Sequence, residues 1–77
     1  MMTQEVVNGA LGILVEASIK HDTDSALIGT KILRRATPVQ MDNARNYCRI
    51  KHGYTDKVIA SALTSEATQT RGQAPTL

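Results

Sequence analysis

The sequence predicts an all-α protein, a small helical bundle of three to four short helices. Apolar residues recur at helical spacing in four segments, and each segment follows a Thr or Asp that can serve as a helix N-cap. Nowhere do β-branched or aromatic residues alternate with polar ones over five positions, as they would in a half-buried strand. We expect residues 1–64 to form a single helical domain and the polar residues 65–77 to be a flexible tail.

The first predicted helix follows Thr3 and is apolar around most of its circumference. A helix with so wide an apolar face lies at the centre of a bundle or at an interface. The chain is also short, at 77 residues, and has neither Phe nor Trp, so its core is thin and we expect it to bury further area as a homodimer. The residues expected at that oligomer interface are Val7, Leu11, Leu14 and Val15.

Glycines in the first helix and aliphatic residues in the second predict how these two helices pack. Gly9 and Gly12 weaken a helix, so they predict the close approach of another backbone or, alternatively, a break in the helix. The second helix should begin at Thr23 or Asp24 and must stop at Thr37-Pro38, because the residue before a proline disfavours the helical conformation. Its expected buried residues are Leu27, Ile28, Ile32 and Leu33.

The third and fourth helices have the clearest boundary signals. Thr37, Pro38 and Gln40 form a capping box with proline at the first helical position, and Gly53 is placed to end the helix. Thr55 can cap the fourth helix. The apolar residues expected to pack inward are Met41, Ala44, Tyr47 and Cys48, with Ile50 as a further candidate, and then Val58, Ile59, Ala62 and Leu63.

Charge is distributed unevenly along the chain. Residues 1–30 carry one basic and four acidic residues, net −3, whereas residues 31–57 carry seven basic and two acidic residues, net +5. A basic surface attracts an acidic protein surface or nucleic acid. The alternatives are that the basic face is merely solvated, or that the two halves neutralise each other across an oligomer. The expected partner-binding residues are Arg34, Arg35, Arg45, Arg49 and Lys51.

The sequence gives little support for a metal site, a catalytic site or a DNA-binding motif. Residues 21–24 lack the further ligands that calcium or zinc needs, and they fit a helix cap. Cys48 lies on an apolar helix face, as a small buried hydrophobe does. A helix-turn-helix can be drawn on residues 56–71, but Thr64 stands where the turn usually has glycine. We therefore expect no metal, no cofactor and no enzymatic activity.

These observations favour a small non-enzymatic regulatory or adaptor protein, for example an inhibitor of the kind common among phage and mobile-element products, that binds another protein through its basic helical surface. A nucleic-acid-binding regulator that uses the basic residues of 31–57 is the alternative, and a small-molecule or nucleotide binder at a subunit interface is a further one. The segment with Asp42, Arg45, Ile50, Tyr54 and Thr55 resembles the end of the small helical regulators of biofilm development, and this resemblance implies a regulatory role. With one cysteine and no long apolar run, we expect a cytoplasmic protein without a membrane partner.

Overall fold

The chain folds into four helices, in agreement with the predicted all-α class. The computed structural model describes the backbone of residues 2–73 and the side chains of residues 2–64. Helix α1 spans Gln4–Lys20, α2 spans Thr23–Leu33, α3 spans Pro38–His52 and α4 spans Asp56–Gln73. No strand is present among the residues with described backbone.

Helix α1 is the centre of the bundle, because it packs against each of the other three helices. One side of α1 supplies most of the large buried side chains, while Val6, Ile13 and Ile19 remain partly exposed on its other side. Its C-terminal end is a left-handed turn at His21, whose φ is 58°, and the N–H of Asp22 donates to the Ala17 carbonyl at 2.8 Å. The prediction of a central α1 is confirmed.

Helix α2 packs closely against α1 through small residues. A Cβ built at Gly29 would lie 3.0 Å from the carbonyl oxygen of Ala10 and 3.3 Å from Cβ of Leu14, so the two backbones approach at this level. The buried residues of α2 are Ala26, Gly29 and Thr30. The expected burial of Leu27 and Ile28 is wrong, since both side chains are exposed. They lie outside the contact because α2 approaches α1 closely with the face that carries its smallest side chains.

The glycines of α1 do not have the role predicted for them. A Cβ at Gly9 would meet nothing within 4 Å, and a Cβ at Gly12 would meet only the side chain of His52. Neither glycine breaks α1, which is continuous through both positions. The glycine that permits close helix packing is therefore Gly29, on the partner helix.

Helix α3 begins and ends where the sequence predicts, and it runs parallel to α1. Thr37 and Gln40 form the reciprocal capping box, and Gly53 ends the helix at φ 72°. The side-chain amide of Gln4 donates to the Gln40 carbonyl at 2.9 Å near the start of both helices, whereas the Cβ position of Gly12 meets His52 near the end of α3.

Two side chains of α3 that were expected to pack inward are exposed. Tyr47 and Ile50 both point away from the core, whereas Ala44 and Cys48 are fully buried. The residues that α3 contributes to the core are the small Ala44 and Cys48, with Met41 packed against them.

Two local boundaries differ from the predictions. Helix α2 ends at Leu33 and is followed by a tight turn in which the N–H of Ala36 donates to the Leu33 carbonyl at 3.1 Å. Helix α4 is capped by the Thr55 hydroxyl, which accepts from the N–H of Val58, and it continues without interruption to Gln73. The turn that a helix-turn-helix needs near Thr64 is therefore absent from the described backbone. Residues 74–77 lie outside the described residues, and the flexibility of the tail stays a prediction.

The core of a single chain contains the residues that were predicted to join two copies. Their exposed fractions are at most 1% within one chain, for the set Val7, Leu11, Leu14 and Val15. They pack there with Ala44 and Cys48 of α3 and with Ile59 and Ala62 of α4, so they offer no surface to a second copy. None of the helices, over the part of the chain that is described, is both long and apolar enough to cross a bilayer.

Candidate basic binding surfaces

The five predicted partner-binding residues lie on two separate surfaces. Arg34 and Arg35 lie in the turn that follows α2, next to the start of α1. Arg45, Arg49 and Lys51 lie on α3 and are exposed. The charge asymmetry of the sequence therefore becomes two basic surfaces on different parts of the fold.

The first surface, here called the basic cleft, lies between the start of α1 and the end of α2. It consists of two adjoining open depressions of about 390 and 530 Å³, which share Met2 and Arg35. Seven residues line the cleft, and three of them are cationic. The lining residues are Met2, Thr3, Val6, Lys31, Ile32, Arg34 and Arg35. The cleft is therefore concave, partly apolar and positively charged.

Two features of the backbone create the basic cleft. Helix α2 runs back along α1, because Gly29 approaches the middle of α1 and the later residue Ile32 lies beside Met2, so the C-terminal end of α2 returns to the N-terminal end of α1. The tight turn after Leu33 then places Arg35 beside Thr3 and Val6. The N-terminus of α1 also borders the cleft; its helix dipole contributes partial positive charge, and Glu5 in the first turn of α1 contributes negative charge.

The second surface, on α3, has its arginines paired within the chain. Arg45 Nη1 lies 3.0 Å from a carboxylate oxygen of Asp42, and Arg49 Nη1 lies 3.2 Å from one of Asp56. Arg49 also donates to the side-chain oxygen of Asn46. Exposed pairs of this kind contribute at most about 1 kcal/mol and rearrange readily. This surface is therefore less positive than the count of its basic residues indicates.

The residues considered for metal binding or catalysis have structural roles. Asp22 caps α2, accepting hydrogen bonds from the hydroxyl and the N–H of Ser25 at 2.8 and 3.1 Å, and these bonds lower the pKa of its carboxyl group. Within the described residues, no three side chains of His, Cys, Asp or Glu converge on one point. His52 contacts the rings of Tyr47 and Tyr54, with centroids 5.8 and 5.4 Å away.

Cys48 is fully buried in the core, as the sequence predicts. Burial raises the pKa of its thiol, because the thiolate loses the solvation of water. Since the thiolate is the reactive form, both the burial and the raised pKa disfavour a nucleophilic role.

We expect Cys48 to react with a thiol reagent at least about a hundredfold more slowly in the folded chain than in urea. The buried thiol reacts only after local opening, and an opening free energy of about 3 kcal/mol lowers the population of the open form by about that factor. The measurement is the rate of labelling by an aromatic disulfide at neutral pH. A matched control carries the thiol on the exposed side of α4, as Cys48→Ala with Ala60→Cys, and should react at the unfolded rate. Equal rates for the two folded chains would contradict the burial of Cys48.

Several lining residues of the basic cleft were not among the predicted site residues. Lys31 belongs to the basic segment 31–57, but Met2, Val6 and Ile32 carry no sequence signal for binding. They become part of one site only because α2 folds back along α1. A local sequence pattern cannot indicate that residues 2–6 and 31–35 lie side by side in the fold.

The chain was compared with protein-family models, with curated proteins and with solved structures, and no match was found. The resemblance of residues 42–55 to regulators of biofilm development therefore stays a prediction from the sequence alone.

Proposed function

We propose that this protein is a non-enzymatic regulatory or adaptor protein that binds an acidic segment of another protein in the basic cleft. The observation that carries the proposal is the combination of the apolar residues Met2, Val6 and Ile32 with cationic side chains in one concave surface. An amphipathic acidic helix or strand matches both features, since its apolar side chains can enter the cleft while its carboxylates meet the guanidinium of Arg35 and the ammonium of Lys31.

A protein partner fits the basic cleft better than a nucleic acid does. The described residues that line the cleft are aliphatic or polar, and none of them offers an aromatic ring for stacking on bases. Duplex binding relies on cations spread along a backbone, whereas here the cations surround a depression. We also propose that the protein acts in the cytoplasm as a homodimer, as its single cysteine and thin core favour.

The test uses an acidic amphipathic peptide of about fifteen residues, labelled with a fluorophore, and a peptide in which every Glu is replaced by Gln. We expect Lys31→Glu with Arg35→Glu to weaken binding of the acidic peptide by about tenfold or more, which is about 1.4 kcal/mol. Arg45→Glu with Arg49→Glu is the matched control, because it makes the same charge change on α3, and it should retain affinity within about twofold.

Amide chemical shifts of the isotope-labelled protein identify the surface that binds the peptide during the same titration. Changes centred on Val6, Ile32 and Arg35 support the proposal. If both double variants lose affinity equally, the interaction depends only on net charge, and the proposed role of the cleft is contradicted. A duplex DNA that binds more tightly than the peptide, with an affinity that falls steeply with salt, would favour the nucleic-acid alternative instead.

A further inference from the structure

One side chain of α3 connects the two walls of the basic cleft. The side-chain oxygen of Gln40 accepts a hydrogen bond from the N–H of Thr37 at 3.0 Å, and its side-chain amide donates to the carbonyl of Met2 at 2.9 Å. Thr37 follows Arg35 by two residues, so it belongs to the wall formed by the turn after α2. Met2 belongs to the opposite wall, before α1. These two hydrogen bonds of the Gln40 side chain are here called the Gln40 clasp.

The two ends of the Gln40 side-chain amide match their partners. The N–H of Thr37 is a donor and needs the amide oxygen, whereas the carbonyl of Met2 is an acceptor and needs the NH₂ group. A half-turn of the amide would set donor against donor and acceptor against acceptor. The two partners therefore hold this side chain in one orientation.

A second amide holds the backbone of Gln40. The side chain of Gln4, in the first turn of α1, donates to the Gln40 carbonyl at 2.9 Å and also to the side-chain oxygen of Asn8 at 2.9 Å. The side-chain amide of Asn43 donates in turn to the side-chain oxygen of Gln4 at 3.3 Å. The start of α3 is therefore joined to α1 itself as well as to the segment that precedes α1.

The carbonyl held by the Gln40 clasp belongs to a residue that lines both depressions of the basic cleft. The Met2 side chain borders each depression and also packs against the core. Met2 lies before α1, which begins at Gln4, so the hydrogen bonds within α1 do not fix its position. The clasp supplies a hydrogen bond from α3 instead.

We propose that Gln40 is a positioning residue of the basic cleft, because it holds Met2 as the wall that the two depressions share. This inference rests on the proposed function, since it assigns a residue that shapes the proposed binding site. Gln40 is not among the residues that line the cleft, so it acts on a bound peptide through Met2. Loss of the clasp should release Met2 and reduce the apolar surface that a peptide meets, while the three cationic side chains remain.

Gln40→Glu separates the two hydrogen bonds of the clasp. A glutamate at this third helical position still accepts from the N–H of Thr37 and keeps the capping box, but its carboxylate cannot donate to the Met2 carbonyl. We expect an unchanged helical circular-dichroism spectrum. The methyl resonance of Met2, assigned by its loss in Met2→Ala, should move towards its position in the unfolded chain.

Affinity for the acidic peptide then measures whether Gln40 acts through Met2. We expect Gln40→Glu and Met2→Ala each to weaken binding by about threefold to tenfold, and the double variant to bind within about twofold of Met2→Ala alone. Val39→Glu is the matched control, because it adds the same charge at the neighbouring exposed position without removing a bond of the clasp. It should retain the affinity of the natural chain within about twofold.

Three results would overturn the inference. The first is a Met2 resonance that Gln40→Glu leaves unchanged. The second is a double variant whose loss of affinity equals the product of the two single losses, since Gln40 would then act independently of Met2. The third is an equal loss in Val39→Glu, which would make the added charge the cause. If the natural chain does not bind the peptide, the proposed function fails, and the Met2 resonance alone decides whether Gln40 holds Met2.

Discussion

Replacement of Leu14 by aspartate is expected to unfold the chain. Leu14 is 1% exposed at the centre of α1, where α2 packs against it. Loss of a buried Leu side chain costs about 3–5 kcal/mol, and the unpaired carboxylate adds a further penalty. Since domains of this size are stable by about 4–12 kcal/mol, most of that stability disappears. Circular dichroism of Leu14→Asp should show little helix at room temperature.

The neighbouring residue provides the control for this prediction. Ile13 is 43% exposed on the outer side of α1, so Ile13→Asp removes an aliphatic side chain from the same helix without placing a charge in the core. We expect it to change stability by no more than about 1 kcal/mol and to leave the helical spectrum intact. If Ile13→Asp unfolds the chain as well, the low helix propensity of aspartate destabilises α1 at either position. The burial of Leu14 would then not be the reason that Leu14→Asp unfolds the chain.

Alanine substitutions at two helical glycines are expected to have opposite effects. A Cβ at Gly29 would lie 3.0 Å from the Ala10 carbonyl oxygen, and this oxygen belongs to a helical backbone that moves only if α1 and α2 separate. Such overpacking costs about 1–3 kcal/mol, and the better helix propensity of alanine recovers at most about 1 kcal/mol. We therefore expect Gly29→Ala to lower the melting temperature by several degrees.

Gly9→Ala is the matched variant, because the same methyl group there meets nothing within 4 Å. It should raise stability by about 1 kcal/mol, through reduced entropy of the unfolded chain and better helix propensity. Since about 1 kcal/mol corresponds to about 4–8 °C in a domain of this size, the two variants should differ in melting temperature by roughly 10 °C. Stabilisation by both substitutions would show that α2 can move away from α1 at little cost.

The helix boundaries were the part of the fold most accessible from the sequence. Thr37 with Gln40, Gly53 and Thr55 act through hydrogen bonds or backbone angles within a few residues, so their effects do not depend on distant parts of the chain. The end of α2 was placed too late, because Pro38 limits how far a helix can run but does not set where the preceding turn begins.

The faces of the helices were predicted less well than their ends. The sequence pattern assigned Leu27 and Ile28 to the core because large aliphatic residues are usually buried. In the fold, α2 instead meets α1 through Ala26 and Gly29, and this choice depends on the shape that α1 offers. The same argument applies to the glycines. The sequence predicted a close helix approach at Gly9, but the fold makes that approach at Gly29.

The sequence by itself determined four helical segments, their capping residues and the separation of an acidic half from a basic one, since each of these is a local or compositional property. Only the tertiary structure decided which basic residues act together. Arg35 borders the basic cleft because the antiparallel return of α2 places it against Met2 and Val6, whereas Arg45 and Arg49 find carboxylates on α3 and α4. Side chains that are distant in the sequence become neighbours through the packing of α1 on α2, which depends on contacts that no local spacing encodes.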